Sequence, residues 1–169
     1  LYVASGADRQ PQTDLVYLSN GDGSFRNGTS EAGALPPQVV SFRSAVVIGD
    51  YDSNGSPDIY ATDGMNYPEL GNSLFQNQIE GDRFIKVIAN GKGGDEGGTN
   101  LDGIGVRVLL FDAGGAVVGS RDIQSPNGVI FGVEPGRAYR LQVTFPVTGS
   151  IVERGDVVGG TDTIRIVEP

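Results

Sequence analysis

The stretch Gly49-Asp50-Tyr51-Asp52-Ser53-Asn54-Gly55-Ser56-Pro57-Asp58 sets oxygen-bearing side chains at alternate positions around a glycine, and it constrains this chain more than any other feature. A hard cation such as Ca2+ takes six to eight oxygens at about 2.3–2.6 Å, so a short loop that serves it must turn several carboxylates and carbonyls inward. Asp50, Asp52 and Asn54 supply side-chain oxygens, Gly55 permits a sharp turn, Ser56 offers its backbone carbonyl, and Asp58 closes the set. Without a cation, carboxylates this close repel one another. An EF-hand loop would carry a bidentate Glu at its twelfth position, where Ala61 stands, and would have helical flanks. Here the flanks read as strands, Ala45-Val46-Val47-Ile48 entering and Asp58-Ile59-Tyr60-Ala61 leaving. The plainer alternative is a solvated acidic turn.

Composition narrows the fold class. With 27 Gly and one Met in 169 residues, and few helix-favouring runs, the chain reads as an all-β protein rich in turns, with one or two domains. A formal net charge of −9 argues against nucleic acid, whose phosphates need a basic patch, and suits divalent cations. The absence of Cys excludes disulfides and thiolate metal sites. The absence of His removes triads with a histidine base and the usual zinc and iron sites. No apolar run approaches a membrane span, so membrane insertion is not expected.

An internal repeat emerges at a displacement of 58 positions: Leu1-Tyr2-Val3-Ala4-Ser5-Gly6 falls on Ile59-Tyr60-Ala61-Thr62-Asp63-Gly64, and Leu15-Val16-Tyr17-Leu18 falls on Ser73-Leu74-Phe75-Gln76. This register puts an earlier calcium loop just ahead of Leu1, so the sequence is expected to start inside a repeat. Asn20-Gly21-Asp22-Gly23 predicts a hairpin with a type I′ turn. Residues 29–35 could form a helical turn ahead of Pro36-Pro37, but a loop is expected there.

Residues 1–83 carry four Lys/Arg against eleven Asp/Glu, and residues 84–169 eight against ten, which places a domain boundary near 83/84. Beyond it, short strands alternate with turns: 84–89, 105–111, 116–123, 128–132, 138–145, a weaker 150–153, and 163–167. Strands at this spacing, many with one apolar face, predict a small β-sandwich. Asp102-Gly103-Ile104-Gly105 is expected to turn over its end, with Arg107 bonding carbonyls or an acid.

Residues 1–83 resemble the FG-GAP/VCBS repeats that build seven-bladed β-propellers, on the strength of 49–55, Asp58-Ile59-Tyr60, and Leu74-Phe75-Gln76-Asn77 in place of an "LFRN"-like strand. Residues 84–169 resemble the ASPIC/UnbV domain of the cartilage acidic protein family. Asn100-Leu101-Asp102-Gly103-Ile104-Gly105-Val106-Arg107-Val108 stands against "NRDGIGARV", Val129-Ile130-Phe131-Gly132 against "VHFG", and Phe145-Pro146 with Gly149 against "WPSG". Phe145 replaces the family's Trp and Ile130 its His. The resemblance implies an incomplete propeller-type blade region followed by a β-sandwich, with Asp50, Asp52, Asn54, Ser56 and Asp58 as the calcium ligands. It also implies an extracellular or cell-surface location, matrix or adhesion roles, and no assured enzymatic activity.

Other candidates are less regular. Asp95, Glu96 and Asp102 lie in or beside the glycine-rich loop of residues 91–102 and could hold a second cation. Arg154-Gly155-Asp156 spells an integrin-type adhesion tripeptide, which also arises by chance. Tyr51 and Tyr67 flank loops and could stack on sugars. The leading expectation is a secreted or surface-exposed, calcium-binding, non-enzymatic module that meets a protein or glycan partner. One alternative is a self-associating structural component, matrix or amyloid-like, with the apolar segments 39–48 and 106–111 as its β-prone stretches. The other is a glycan-active enzyme, for which nothing in the spacing selects a carboxylate pair.

Overall fold

Short runs of β-branched and aromatic residues, punctuated by Gly, Asn and Asp, leave no stretch long enough to sustain a helix. The computed structural model describes residues 1–4, 12–20, 22–32, 40, 41, 43–63, 71–79, 81–160 and 162–169, and these are all-β apart from single 3-10 turns. They divide into two compact units, Leu1–Gly49 with Pro57–Asn77, and Asp50–Ser56 with Gln78–Pro169.

In the first unit the strands are β1 (Tyr2–Val3), β2 (Gln12–Thr13), β3 (Leu15–Ser19), β4 (Phe25–Asn27), β5 (Val40–Ser41), β6 (Arg43–Gly49), β7 (Asp58–Asp63) and β8 (Ser73–Phe75). They form the sheets β1-β3-β4, β2-β5 and β6-β7-β8, with neighbours antiparallel. Tyr2 faces Val16 across β1 and β3, and Tyr60 faces Leu74 across β7 and β8. Both partners of one pair are thus displaced by the same 58 positions from the other, as are Val3 with Leu15 and Ala61 with Ser73.

The β3–β4 hairpin forms where Asn20-Gly21-Asp22-Gly23 predicts one, but its loop is longer than a two-residue turn. The Asn20 N–H donates to Ser24 O, and the left-handed φ of 89° falls at Gly23. Asp22 is outside the left-handed region; its carboxylate accepts from the Ser24 N–H and hydroxyl instead. Gly21, Tyr67 and residues 33–37 lie outside the described residues; residues 29–31 form a turn, closed by the Ala32 N–H donating to Gly28 O at 2.8 Å.

Among the described residues, the buried side chains of this unit are mainly polar: Asp14, Arg43 and Asp58, beside Ala61. Arg43 Nε donates to Asp14 Oδ2 at 3.0 Å with both side chains buried, while one guanidinium NH2 group reaches Ser73 Oγ at 2.8 Å. The Tyr2 hydroxyl donates to the same Asp14 oxygen, and its ring lies 5.9 Å from that of Phe75. Burial first, then the adjacent Asp14 carboxylate, push the Tyr2 hydroxyl well above its ordinary pKa.

The second unit holds an apolar core. Its strands are β9 (Phe84–Asn90), β10 (Arg107–Phe111), β11 (Val117–Asp122), β12 (Val129–Gly132), β13 (Tyr139–Thr144), β14 (Ile151–Val157) and β15 (Thr163–Val167). They make a four-stranded antiparallel sheet, β11-β10-β13-β14, and a three-stranded sheet, β12-β9-β15, in which β15 runs parallel to β9. Alternation decides what is inside: Ile85, Val87 and Ala89 of β9, Val108 and Leu110 of β10, and Leu141 and Val143 of β13 share one buried cluster with Phe131, Phe145 and Ile166. The turn at Asp102-Gly103-Ile104-Gly105 forms as expected. Gly103 has φ +66°, and a Cβ there would lie 2.1 Å from Ala89 O, so only glycine fits. Arg107 grips Asp122 with two bonds, 2.8 and 3.0 Å. The strand at 150–153 extends through Val157. Among the described residues no helix is long and apolar enough to cross a membrane.

Candidate metal centre

Strands β6 and β7 pair with Gly49 opposite Asp58, so the acidic stretch is the loop of a hairpin. Local hydrogen bonds coil it. The Asn54 N–H and side-chain amide donate to the two Asp52 oxygens at 3.2 and 3.1 Å, and the Ser56 N–H donates to Asn54 Oδ1 at 2.8 Å. Ser53 and Gly55 adopt left-handed backbone, with φ of 61° and 88°. The Ser53 conformation is one that a non-glycine residue seldom takes, so the coil is held by its hydrogen bonds. Ser56 is buried and donates its hydroxyl to Ile79 O.

The coil brings one carboxylate oxygen from each of Asp50, Asp52 and Asp58 within 4.8 Å of the others. Oxygens at opposite sides of a calcium ion are separated by about twice the bond length of ~2.4 Å, so the three lie no farther apart than two ligands of one ion can. Asp58 is buried, and its Oδ1 accepts from the Asn77 N–H at 2.8 Å while the Asn77 amide donates to Pro57 O at 3.1 Å. Asp52 is exposed. The Asp50 side chain is only 2% exposed. Its Oδ2 lies 3.3 Å from Lys86 Nζ, and its Oδ1 is buried with no hydrogen-bond donor. A buried carboxylate oxygen without a donor is costly, and a cation is one way to satisfy it. The site therefore fits a hard divalent ion in donor type, spread and charge. Three carboxylates and one ammonium leave a formal −2.

The other sequence candidates are dispersed. Asp95 and Glu96 are exposed on the 3-10 turn Gly94–Glu96, and Asp102 is exposed in the turn that follows. Among the described residues, the acidic triad within ligand reach is that of Asp50, Asp52 and Asp58. The glycine-rich loop is organised around a different acid, Glu168, which is nearly buried. Its carboxylate accepts from the Lys92 N–H at 3.0 Å, the Thr99 N–H at 2.8 Å, and the hydroxyls of Thr99 and Thr148 at 3.1 and 2.6 Å. Burial pushes the Glu168 carboxyl up, but the hydrogen bonds from Thr148, Lys92 and Thr99 outweigh it and hold the group at about 2. Two of the loop's glycines are explained by closeness: a Cβ on Gly98 would lie 2.6 Å from Glu168 Oε2, and one on Gly91 2.1 Å from Thr99 O. No sequence signal ties Glu168 to this loop, because it lies some 70 positions downstream.

Arg154, Gly155 and Asp156 are exposed on β14, the outer strand of the four-stranded sheet. The β13–β14 ladder slips there, and Asp156 takes a left-handed φ of 54°. Tyr51 is exposed within the acidic loop. Lys86 carries no sequence signal either, since a lysine in the outward slot of an alternating strand reads as a solvated charge. Comparison with protein-family models, curated proteins and solved structures finds no match.

Proposed function

We propose that this chain is a non-enzymatic binding module, secreted or surface-exposed, whose acidic hairpin is fixed by calcium. The observation that carries the reading is the triad of Asp50, Asp52 and Asp58, which have carboxylate oxygens within 4.8 Å of one another, together with the buried, donor-less Oδ1 of Asp50. In this mechanism the ion neutralises the carboxylates and fixes the hairpin, so that binding free energy becomes folding free energy. A protein or glycan partner then meets preorganised loops, with exposed Tyr51 offering an aromatic face. The resemblance to FG-GAP/VCBS repeats and the ASPIC/UnbV domain supports a blade-type reading of the first unit and a β-sandwich reading of the second. The common displacement of 58 positions in the strand pairs supports the repeat.

Calorimetric titration of calcium into chelator-treated protein, beside an Asp52→Asn variant and with melting followed at each point, tests this. Saturable binding is expected, with stabilisation of about 2.7 kcal/mol at a hundredfold excess over Kd. The variant is expected to lose both. No heat and no shift in the parent protein would refute the reading.

Self-association is a second reading favoured by one observation: Val47 and Ile48 are more than half exposed on β6, the outer strand of its sheet among the described residues. Segment 106–111 does not contribute, since β10 is paired on both sides. Size-exclusion profiles with thioflavin fluorescence test it; a persistent monomer that never binds dye would remove it.

A further inference from the structure

We propose that Lys86 is the resident counter-charge of the acidic hairpin loop, competing with the incoming ion for Asp50 and so setting how tightly calcium binds; this rests on the calcium reading above. Lys86 sits mid-way along β9, opposite Ile130 of β12 on one side and Thr163 of β15 on the other. Its neighbours Ile85 and Val87 face the apolar core, so Lys86 points to the other face of the sheet. An outward lysine there would ordinarily extend into water. This one has a side chain only 15% exposed, and its ammonium lies 3.3 Å from Oδ2 of the buried Asp50. Both residues belong to the second unit, which includes the loop tip Asp50–Ser56. An Asp50 carboxylate is thereby compensated on one oxygen and left bare on the other.

Charge counting gives the ammonium two opposed effects. Three carboxylates, one Lys and one Ca2+ sum to zero, so Lys86 leaves the occupied site electrically neutral. It also holds a positive charge a few ångströms from where a divalent ion would touch Asp50, which repels that ion. In the absence of calcium it partly offsets the carboxylate repulsion and keeps the loop close to its coiled form. Lys86 therefore narrows the difference between the calcium-free and calcium-bound states. Calcium entry is accompanied by withdrawal of the ammonium from Asp50.

The test compares the parent protein with Lys86→Met and Lys86→Arg, titrated with calcium by calorimetry and with terbium by emission sensitised through Tyr51. Lys86→Met is expected to bind calcium about tenfold more tightly, the scale of one unit charge near a divalent ion in high dielectric. Its melting temperature in chelator should fall, and its calcium-induced rise should exceed the parent's. Lys86→Arg keeps the charge and should stay within about threefold of the parent. In the parent itself, the side-chain NMR signal of Lys86 should shift along the same isotherm as the calorimetry. This last readout holds even where Lys86→Met fails to fold. Parent-like or weaker binding in Lys86→Met, or a Lys86 signal that stays fixed while calcium binds, would overturn the proposal and leave the calcium site standing. Absence of binding in the parent would overturn both.

Discussion

At the scale of single residues, two buried acids, Asp14 and Glu168, have partners far away in sequence. Arg43 and Asp14 form an ion pair with almost no solvent contact, tied further to Tyr2 and Ser73. Breaking a buried pair by removing one partner leaves an uncompensated charge, so Arg43→Met is expected to destabilise the protein by about 3–5 kcal/mol. Tyr2→Phe removes one bond to the same carboxylate and should cost only about 1–2 kcal/mol. Urea denaturation of the two variants checks the order, and equal effects would mean that Arg43 is not the anchor. Glu168 makes a pH-dependent contribution. Its folded-state pKa is held down at about 2, below the ordinary 4.5. A depressed carboxyl contributes stability that is present above its unfolded value and lost as pH falls through the folded one. The stability gap between the parent and Glu168→Gln is therefore expected to be full at neutral pH and to close between about 4.5 and about 2. A gap that does not vary over that range would show that the charge itself is not what the loop holds.

At the scale of elements, legibility followed where the interior is apolar. β9, β10 and β13 alternate buried and more exposed positions along their length, and this alternation is plain in Phe84-Ile85-Lys86-Val87-Ile88-Ala89. The hairpin loop was equally legible, because the spacing of Asp50, Asp52, Asn54 and Asp58 is a local property of nine residues. The first unit's interior was not, since a core built from Asp14, Arg43 and Tyr2 has no hydrophobic period to read. Nor was the Glu168 cradle or the Lys86 contact, each of which joins residues dozens of positions apart. The extension of β14 was hidden by Glu153-Arg154-Gly155-Asp156, a charged run that pairs as a strand by bulging. Asp156 bears the strain of that bulge at φ 54°, in a region that glycine enters freely. Asp156→Gly is expected to stabilise the protein slightly or leave it unchanged, within about 1 kcal/mol, while Asp156→Val should destabilise it by more than that. Thermal melting of the pair decides whether the bulge or the side chain matters there.

At the scale of the whole molecule, the described residues of the two units bury different chemistry, and this predicts how the second behaves on its own. Every residue of the large apolar cluster lies between Ile85 and Ile166, and none comes from the hairpin tip Asp50–Ser56. Apolar burial is the dominant favourable term in folding, so the portion Gln78–Pro169 is expected to fold by itself. The described residues of the first unit instead show a buried polar cluster of directional contacts around Asp14 and Arg43. The portion Gln78–Pro169 expressed alone is therefore expected to unfold cooperatively on heating, with dispersed amide signals in NMR. Its melting temperature should be indifferent to calcium, because Asp50, Asp52 and Asp58 are all missing from it. The full chain should keep its calcium response. Loss of cooperative melting in the portion would mean that its apolar cluster is insufficient without the remainder. A calcium response that persists in it would place an ion among Asp95, Glu96 and Asp102 instead, and the hairpin would no longer be needed to explain calcium binding by the full chain.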